Sequence, residues 1–285
     1  MSRLLAVDWG SSVLRGALLG AAGEFGAVFQ AHFGDWMAAP GTRCLMAGMV
    51  GSRQGWVEAA YSRCPAGLDE VARTLTPVAN AAGREIAIVA GVSCEHDGVP
   101  DVMRGEETAI FGALDLLGSA DATLVLPGTH SKWVRVADSR IVDFSTVMSG
   151  EFYALLRRHS ILARSLPAED GALDGAAFDA GAARALAGPG LMQTAFSVRT
   201  LALFERLPAA ALPSYLSGLV IGEELRGRAL GRGGAVVVVG APALAERFER
   251  ALAQCGVSVR RFGEEAVWRG LWAIDSRRVK TGVVA

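Results

Sequence analysis

Asp8 ends a short apolar run, Leu4-Leu5-Ala6-Val7, and is followed by Trp9, Gly10, Ser11 and Ser12 before apolar residues resume over Val13–Leu19. The pattern predicts two strands joined by a tight turn, with an acid at its mouth. Gly10 lets the backbone turn sharply and approach a ligand closely. Exposed N–H groups in such a turn suit phosphate oxygens, and Asp8 suits a hydrated Mg²⁺ beside them. A second small-residue turn, Gly128-Thr129-His130-Ser131-Lys132, offers backbone donors, hydroxyls and a cation, a composition matched to the β- and γ-phosphates of a nucleotide. It lacks the GxxxxGK[ST] spacing of a P-loop. The structural alternatives are a plain hairpin at the first turn and a polar turn with a solvent-exposed lysine at the second.

The stretch Pro100-Asp101-Val102-Met103-Arg104-Gly105-Glu106-Glu107-Thr108 runs through a loop into the start of a helix. Asp101, Glu106 and Glu107 are each candidates to accept the proton of a substrate hydroxyl, and Arg104 to clamp a carboxylate or transferring charge. Simple complementation of the helix dipole also accounts for Glu106 and Glu107, and predicts that both stay ionised with lowered pKa. Ser52, Arg53, Gln54 and Trp56 lie in a glycine-punctuated loop, Gly51–Trp56. There an arginine suits carboxylate recognition and an indole gives a flat wall for a small polar molecule. Arg53 and Arg104 are the arginines expected to be buried against an acid substrate. The alternative for Trp56 is a place in the core. Ser149 and Glu151 open a helix, where they either cap it or touch ligand. Gly240 and Ala241 follow the apolar run Val236–Val239, a place where ligands of α/β sheets tend to bind.

Those residues need a scaffold of alternating strands and helices. Strands are predicted at Leu4–Val7, Val13–Leu19 and Gly26–Phe33 (a meander), then at Cys44–Gly48 and Glu85–Val89. Helical spacing follows at Leu68–Leu75 and Glu106–Leu117. Strands recur at Thr123–Leu126, Trp133–Val136, Ile141–Val147 and Ala235–Val239, with helices over Phe152–Leu162, on towards Leu225 and around Glu264–Ile274. Residues Gly171–Gly190 fit either a loop or alanine-rich helices. The design of strand, small turn and strand occurs twice, which implies two related lobes with their hairpin tips facing across a cleft. The expected division is 1–118 and 119–285, with the last helix packing back near the first lobe.

Composition narrows the function. The 285 residues carry a formal net charge of −1, no footprint for nucleic acid or an anionic membrane. Mean hydropathy is +0.32, yet apolar runs are far shorter than a membrane span. No signal-peptide pattern opens the chain. Cys44, Cys64, Cys94 and Cys255 form no CxxC pair, so reduced, unreactive thiols in a cytoplasm are expected. His130 and His159 lack metal-ligand spacing. The absent GxGxxG fingerprint excludes a Rossmann dinucleotide site, and no Ser-His-Asp arrangement stands out.

In order, these segments resemble the actin, sugar-kinase and heat-shock-protein ATPase superfamily. Asp8-Trp9-Gly10-Ser11-Ser12 is similar to its first phosphate hairpin, Gly128–Lys132 to its second, and Val239-Gly240-Ala241 to its adenosine turn. The chain more specifically resembles the 2-dehydro-3-deoxygalactonokinase family. The strings that carry this are Asp8-Trp9-Gly10, Gly48–Trp56, Pro100–Glu107, Leu126–Trp133, Ser149-Gly150-Glu151 and Leu216–Gly222. Ser12 and Ser149 stand where relatives often carry threonine, and a hydroxyl is kept at both. The resemblance implies a two-lobed α/β fold of the ribonuclease H-like, actin-like type, with mixed sheets flanking a central cleft. It implies Mg²⁺-dependent transfer of phosphate from ATP to the terminal hydroxyl of 2-dehydro-3-deoxy-D-galactonate. Asp8 would then serve the metal, and Gly10, Ser11, Ser12, Arg15, Gly128–Lys132, Gly240 and Ala241 the nucleotide. Gly105-Glu106-Glu107 also resembles the acidic segment of exopolyphosphatases on the same fold, which implies a phosphoanhydride hydrolase as an alternative, and an actin-like ATP-binding regulator would use the same turns without turning over a small substrate. A small sugar acid is the implied partner, with no nucleic acid or membrane, and a homodimer is left open.

Overall fold

In the computed structural model, residues 3–9, 25–79, 85–228, 230–231 and 233–281 are described. Strand β1 (Arg3–Trp9) is followed by helix α1 (Phe25–Met37), β2 (Thr42–Gly48), β3 (Tyr61–Arg63), α2 (Leu68–Arg73), β4 (Thr76–Pro77) and β5 (Glu85–Ile88). Next come β6 (Gly91–His96), β7 (Val99–Met103), α3 (Glu106–Leu117), β8 (Ala122–Leu126), β9 (Ser131–Ala137) and β10 (Arg140–Val147). The remainder comprises α4 (Ser149–His159), α5 (Gly175–Ala187), α6 (Leu191–Thr194), α7 (Ser197–Leu203), α8 (Leu212–Arg226), β11 (Ala235–Val239), α9 (Pro242–Gln254), β12 (Ser258–Phe262) and α10 (Glu265–Thr281). The strands form three sheets, ordered β1-β2-β5-β4, β3-β6-β7 and β10-β9-β8-β11-β12. The chain divides into two compact units: Met1–Leu124 with Val134–Ser145 and Phe262–Ala285, and Val125–Trp133 with Thr146–Arg261.

In the first unit β1, β2 and β5 run parallel, with β4 antiparallel at the edge. Parallel strands are buried on both faces, hence the unbroken apolar run at Cys44–Ala47, all of it buried. The segment Gly26–Phe33, expected as a third strand of a meander, is helical instead. Phe25, Phe29 and Phe33 recur every four residues, which gathers their rings on one helical face. The Phe29 ring lies 5.4 Å from Phe33 and 5.6 Å from Trp56, over a core that includes Leu5, Val7, Met46 and Ile88. The middle strand of that meander, Val13–Leu19, lies outside the described residues. Helix α10 packs on α3 through glycine: a Cβ at Gly112 would collide with the Ala266 carbonyl, and one at Gly270 with that of Thr108.

The second unit repeats this device. Gly181 on α5 and Gly218 and Gly222 on α8 bring those two helices together, each leaving no room for a methyl group. That is the packing role of the Leu216–Gly222 string, whose residues are all buried. The alanine-rich segment left open by the sequence resolves as α5, with Phe178, Ala182 and Ala185 fully buried. Among the described residues, no helix is long and apolar enough to cross a membrane.

Candidate functional site

In the first unit the predicted residues gather where the parallel strands end. Asp8 pairs in register with Ala47 near the carboxyl ends of β1 and β2, and is exposed. From there the chain leaves β2 through Gly48, at a φ of 94°, into the turn Met49–Gly51. A Cβ on Gly105 would stand 3.1 Å from the Gly48 Cα, so the start of α3 abuts the end of β2. Gly105 itself has a φ of 105°, which a side chain would strain. Asp8, Gly48–Gly51 and Arg104–Glu107 therefore belong to one neighbourhood, at the strand ends where α/β sheets bind ligands. Gly10, Ser11, Ser12 and Arg15 lie outside the described residues.

Arg104 is held from two sides. One terminal nitrogen, Nη2, donates to the Ala59 carbonyl at 2.7 Å, and the guanidinium carbon lies 4.3 Å over the Tyr61 ring. Its Nε and Nη1 are buried without a hydrogen-bond partner among the described residues. Donors without a partner on a half-buried cation are costly, and an anionic group brought against them would satisfy them.

The acids beside it differ in environment. Glu106 is half-buried, and its Oε2 accepts the Arg104 backbone N–H at 3.0 Å. Glu107 has no exposed surface, and one of its oxygens accepts the Gly105 N–H at 2.7 Å. Loss of solvation, with Glu106 nearby, pushes Glu107 up to about 8 against the opposing backbone hydrogen bonds. The expectation that the helix dipole keeps it ionised is thus corrected: at full burial desolvation outweighs the dipole. Asp101 sits not in a loop but on β7, paired with Cys94 of β6, and its Oδ1 accepts the Val102 N–H at 2.7 Å.

The loop expected to grip the acid is split. Arg53 is not buried: its side chain is 82% exposed and pairs with Glu58 at 3.3 Å. Gln54 is exposed as well and Ser52 is half-buried. Trp56 packs against the aromatic core, with its backbone N–H on the Val50 carbonyl at 2.8 Å.

In the second unit the turn Gly128–Lys132 and the start of α4 form one structure. A Cβ on Gly150 would run into the Gly128 carbonyl and Thr129, so only glycine lets the turn rest there. The Glu151 N–H donates to the Thr129 carbonyl at 3.0 Å, and the Ser131 and Ser149 hydroxyls are 3.0 Å apart. His130 Nε2 lies 2.6 Å from Glu151 Oε2. A cavity of about 200 Å³ opens here, its lining including the polar Ser131, Ser149, Asp170 and Arg247 and the apolar Leu244 and Phe248. A lining that mixes donors with apolar side chains suits a phosphorylated nucleoside, of which so small a cavity would enclose only part. Gly240 lies beside Pro127, its notional Cβ 3.5 Å from the Pro127 carbonyl, while Ala241 is exposed.

Lys132 departs from the solvent-exposed alternative. It is buried and donates to Thr146 Oγ1 at 2.8 Å, and strand alternation sends it to the face opposite Ser131. No motif in the local sequence singles out Glu224 of α8 as a site residue. It is buried and accepts the Trp133 indole N–H at 2.6 Å; burial raises its pKa against the pull of Ser149, Trp133, Arg228 and Ser131. Its signal was an acid following the apolar stretch Leu216–Gly222, where a charge needs partners.

A family model described as "DGOK: 2-keto-3-deoxy-galactonokinase" matches residues 8–274. The chain is 36% identical over 291 residues to the "Probable 2-dehydro-3-deoxygalactonokinase DgoK1" of Rhizobium meliloti (strain 1021), covering 94% of this chain and 95% of the relative. It is 35% identical over 293 residues to the 2-dehydro-3-deoxygalactonokinase of Escherichia coli (strain K12), covering 96% and 97%. A crystal structure of a Sinorhizobium meliloti protein assigned to the same enzyme superposes with a TM-score of 0.85 at 36% identity, over 98% of this chain and 97% of that one.

Proposed function

Because the chain belongs to the 2-keto-3-deoxy-galactonokinase family, we propose that it phosphorylates 2-dehydro-3-deoxy-D-galactonate at its terminal hydroxyl, using ATP and Mg²⁺. The observation that supports an acid substrate is Arg104, a half-buried arginine near the carboxyl ends of parallel strands with two nitrogens that lack a hydrogen-bond partner among the described residues. A carboxylate reaching either nitrogen would supply a charge-assisted hydrogen bond to it.

Within the second unit the turn at Gly128–Thr129 with Ser131 and Ser149 suits the phosphates of a Mg-nucleotide, which would supply the electrophilic phosphoryl group. Asp8 is the carboxylate for the metal. Ser131, Ser149 and the Gly128–Thr129 backbone, with Arg247 behind them, are the donors for phosphate oxygens. Gly240 and Ala241 border the nucleoside. Glu106 is the proposed group that orients the substrate hydroxyl and takes its proton, since Glu107 has no exposed surface to touch a ligand. Glu107 instead fixes the turn before α3 by accepting the Gly105 N–H. A role in galactonate breakdown goes with a cytoplasmic location, which is part of the same proposal.

A substrate panel with ATP and Mg²⁺ tests the reading: 2-dehydro-3-deoxygalactonate, its gluconate epimer, hexoses, glycerol and polyphosphate. The two keto acids should lead neutral hexoses by a factor of about a hundred or more, because a neutral sugar leaves Arg104 unpaired. Comparable rates on glucose would overturn the acid-sugar assignment. Phosphate release from polyphosphate would favour the hydrolase, and nucleotide binding without turnover the regulator.

A further inference from the structure

Three metal-ligand side chains meet in the first unit, none of them used above. Cys94 and His96 stand two apart on β6, so strand alternation carries both to one face. Asp143 arrives from β10. The Cys94 Sγ, a His96 ring nitrogen and an Asp143 oxygen all lie within 4.8 Å of one another, with His96 Nε2 2.8 Å from Asp143 Oδ1. The Cys94 thiol donates to the Phe144 carbonyl at 3.2 Å. Bonds of about 2.3 Å to sulfur and about 2.0–2.2 Å to nitrogen and oxygen set ligand atoms a little over 3 Å apart around a tetrahedral ion. Small side-chain rotations therefore close these three atoms on a cation. Cys64, whose N–H donates to the Ser93 carbonyl at 2.8 Å, is near enough to Cys94 and Asp143 to interact with both electrostatically. Asp101 faces Cys94 across the ladder.

We propose that Cys94, His96 and Asp143 bind a zinc-class divalent cation that ties β6 to β10, with Cys64 or a water molecule as the fourth ligand. The donor set decides the class of ion. Thiolate with imidazole and carboxylate suits Zn²⁺, whereas Mg²⁺ demands an octahedron of oxygens. The site is therefore distinct in kind from the one proposed for catalysis. The cation replaces the Cys94 proton, and thiolate plus carboxylate then balance its charge. His96 and Asp143 are each 44% exposed, which gives the ion a way in. Joining strands 47 positions apart in sequence, it acts as a cross-link.

Cobalt titration of metal-free protein without nucleotide tests this. Co²⁺ should bind at a single equivalent per chain, with a thiolate charge-transfer band and tetrahedral visible bands, and Zn²⁺ should displace it. Cys94→Ser should weaken binding roughly tenfold or more and diminish the charge-transfer band. Asp143→Asn should weaken binding to a similar degree, and Cys255→Ser in the second unit should leave it unchanged. Zn²⁺ should raise the thermal midpoint of the parent protein but not that of His96→Asn, whose half-exposed position spares the core should Cys94→Ser fold poorly. Absence of the charge-transfer band in the parent protein, or affinity undiminished in His96→Asn, overturns the site.

Discussion

Arg104 lies 4.3 Å over the ring of Tyr61, and Tyr61 in turn pairs in register with Gly91, whose missing side chain makes room for that ring. A rigid stack thus holds one face of the guanidinium, leaving its remaining nitrogens for a ligand. Lysine reproduces the charge but neither the plane nor the fork. Arg104→Lys should lower kcat/KM for the sugar acid about a hundredfold with little change in KM for ATP, measured in a coupled steady-state assay. An unchanged kcat/KM would remove Arg104 from acid recognition.

Asp8 and Glu106 should fail differently. Asp8→Asn is expected to cut turnover by orders of magnitude and to shift the Mg²⁺ requirement upward, with binding of the sugar acid nearly intact. Glu106→Gln should lose kcat with modest change in KM and no altered Mg²⁺ dependence. Mg²⁺ titrations at saturating substrate separate the two, and near-normal rates in both variants would sink the assignment.

Gly150 admits the Gly128–Thr129 turn to the first turn of α4. Gly150→Ala should push that turn away and weaken binding of a non-hydrolysable ATP analogue by about tenfold or more. Calorimetric titration reads this directly, and parent-like affinity would mean that the cavity is not the nucleotide's.

Glu107 makes stability depend on pH. Its ordinary value is 4.5 and the fold raises it to about 8, so between these limits the native state holds a proton that the unfolded chain has lost. Its contribution is therefore most favourable below the lower value and declines as pH rises through the window. Glu107→Gln removes the decline, so its stability relative to the parent should grow from about pH 5 to about pH 8. Urea unfolding across that range checks it, with parallel curves as the contrary result.

Glu224 gives the Trp133 indole its acceptor. Glu224→Leu should cost about 1–3 kcal/mol by stranding that buried donor, whereas Glu224→Gln keeps an acceptor and should cost much less. Equal losses in denaturant titration would show that the charge, not the hydrogen bond, is what the fold uses.

Local spacing determined most of the elements: Glu106–Leu117 and Ala235–Val239 form over the predicted residues, because helical periodicity and a bounded β-branched run are properties of neighbours in sequence. Motif order likewise determined the family. Over Gly26–Phe33 the strand preference of Phe and Val is overridden, because the core that includes Phe29, residues of β1 and β2, and Trp56 rewards a four-residue period. Burial decided the rest. Arg53 and Arg104 are equal as sequence, yet one faces solvent and the other ends with orphaned nitrogens under a tyrosine. Glu106 and Glu107 are adjacent and chemically alike, but the first keeps exposed surface while the second is fully buried, dry enough for desolvation to overcome the helix dipole. Cys94 and His96 show a ligand spacing on a strand, but Asp143 joins them only when β10 folds against the same face. A constellation assembled across 47 positions is a property of the fold and cannot be read from either segment alone.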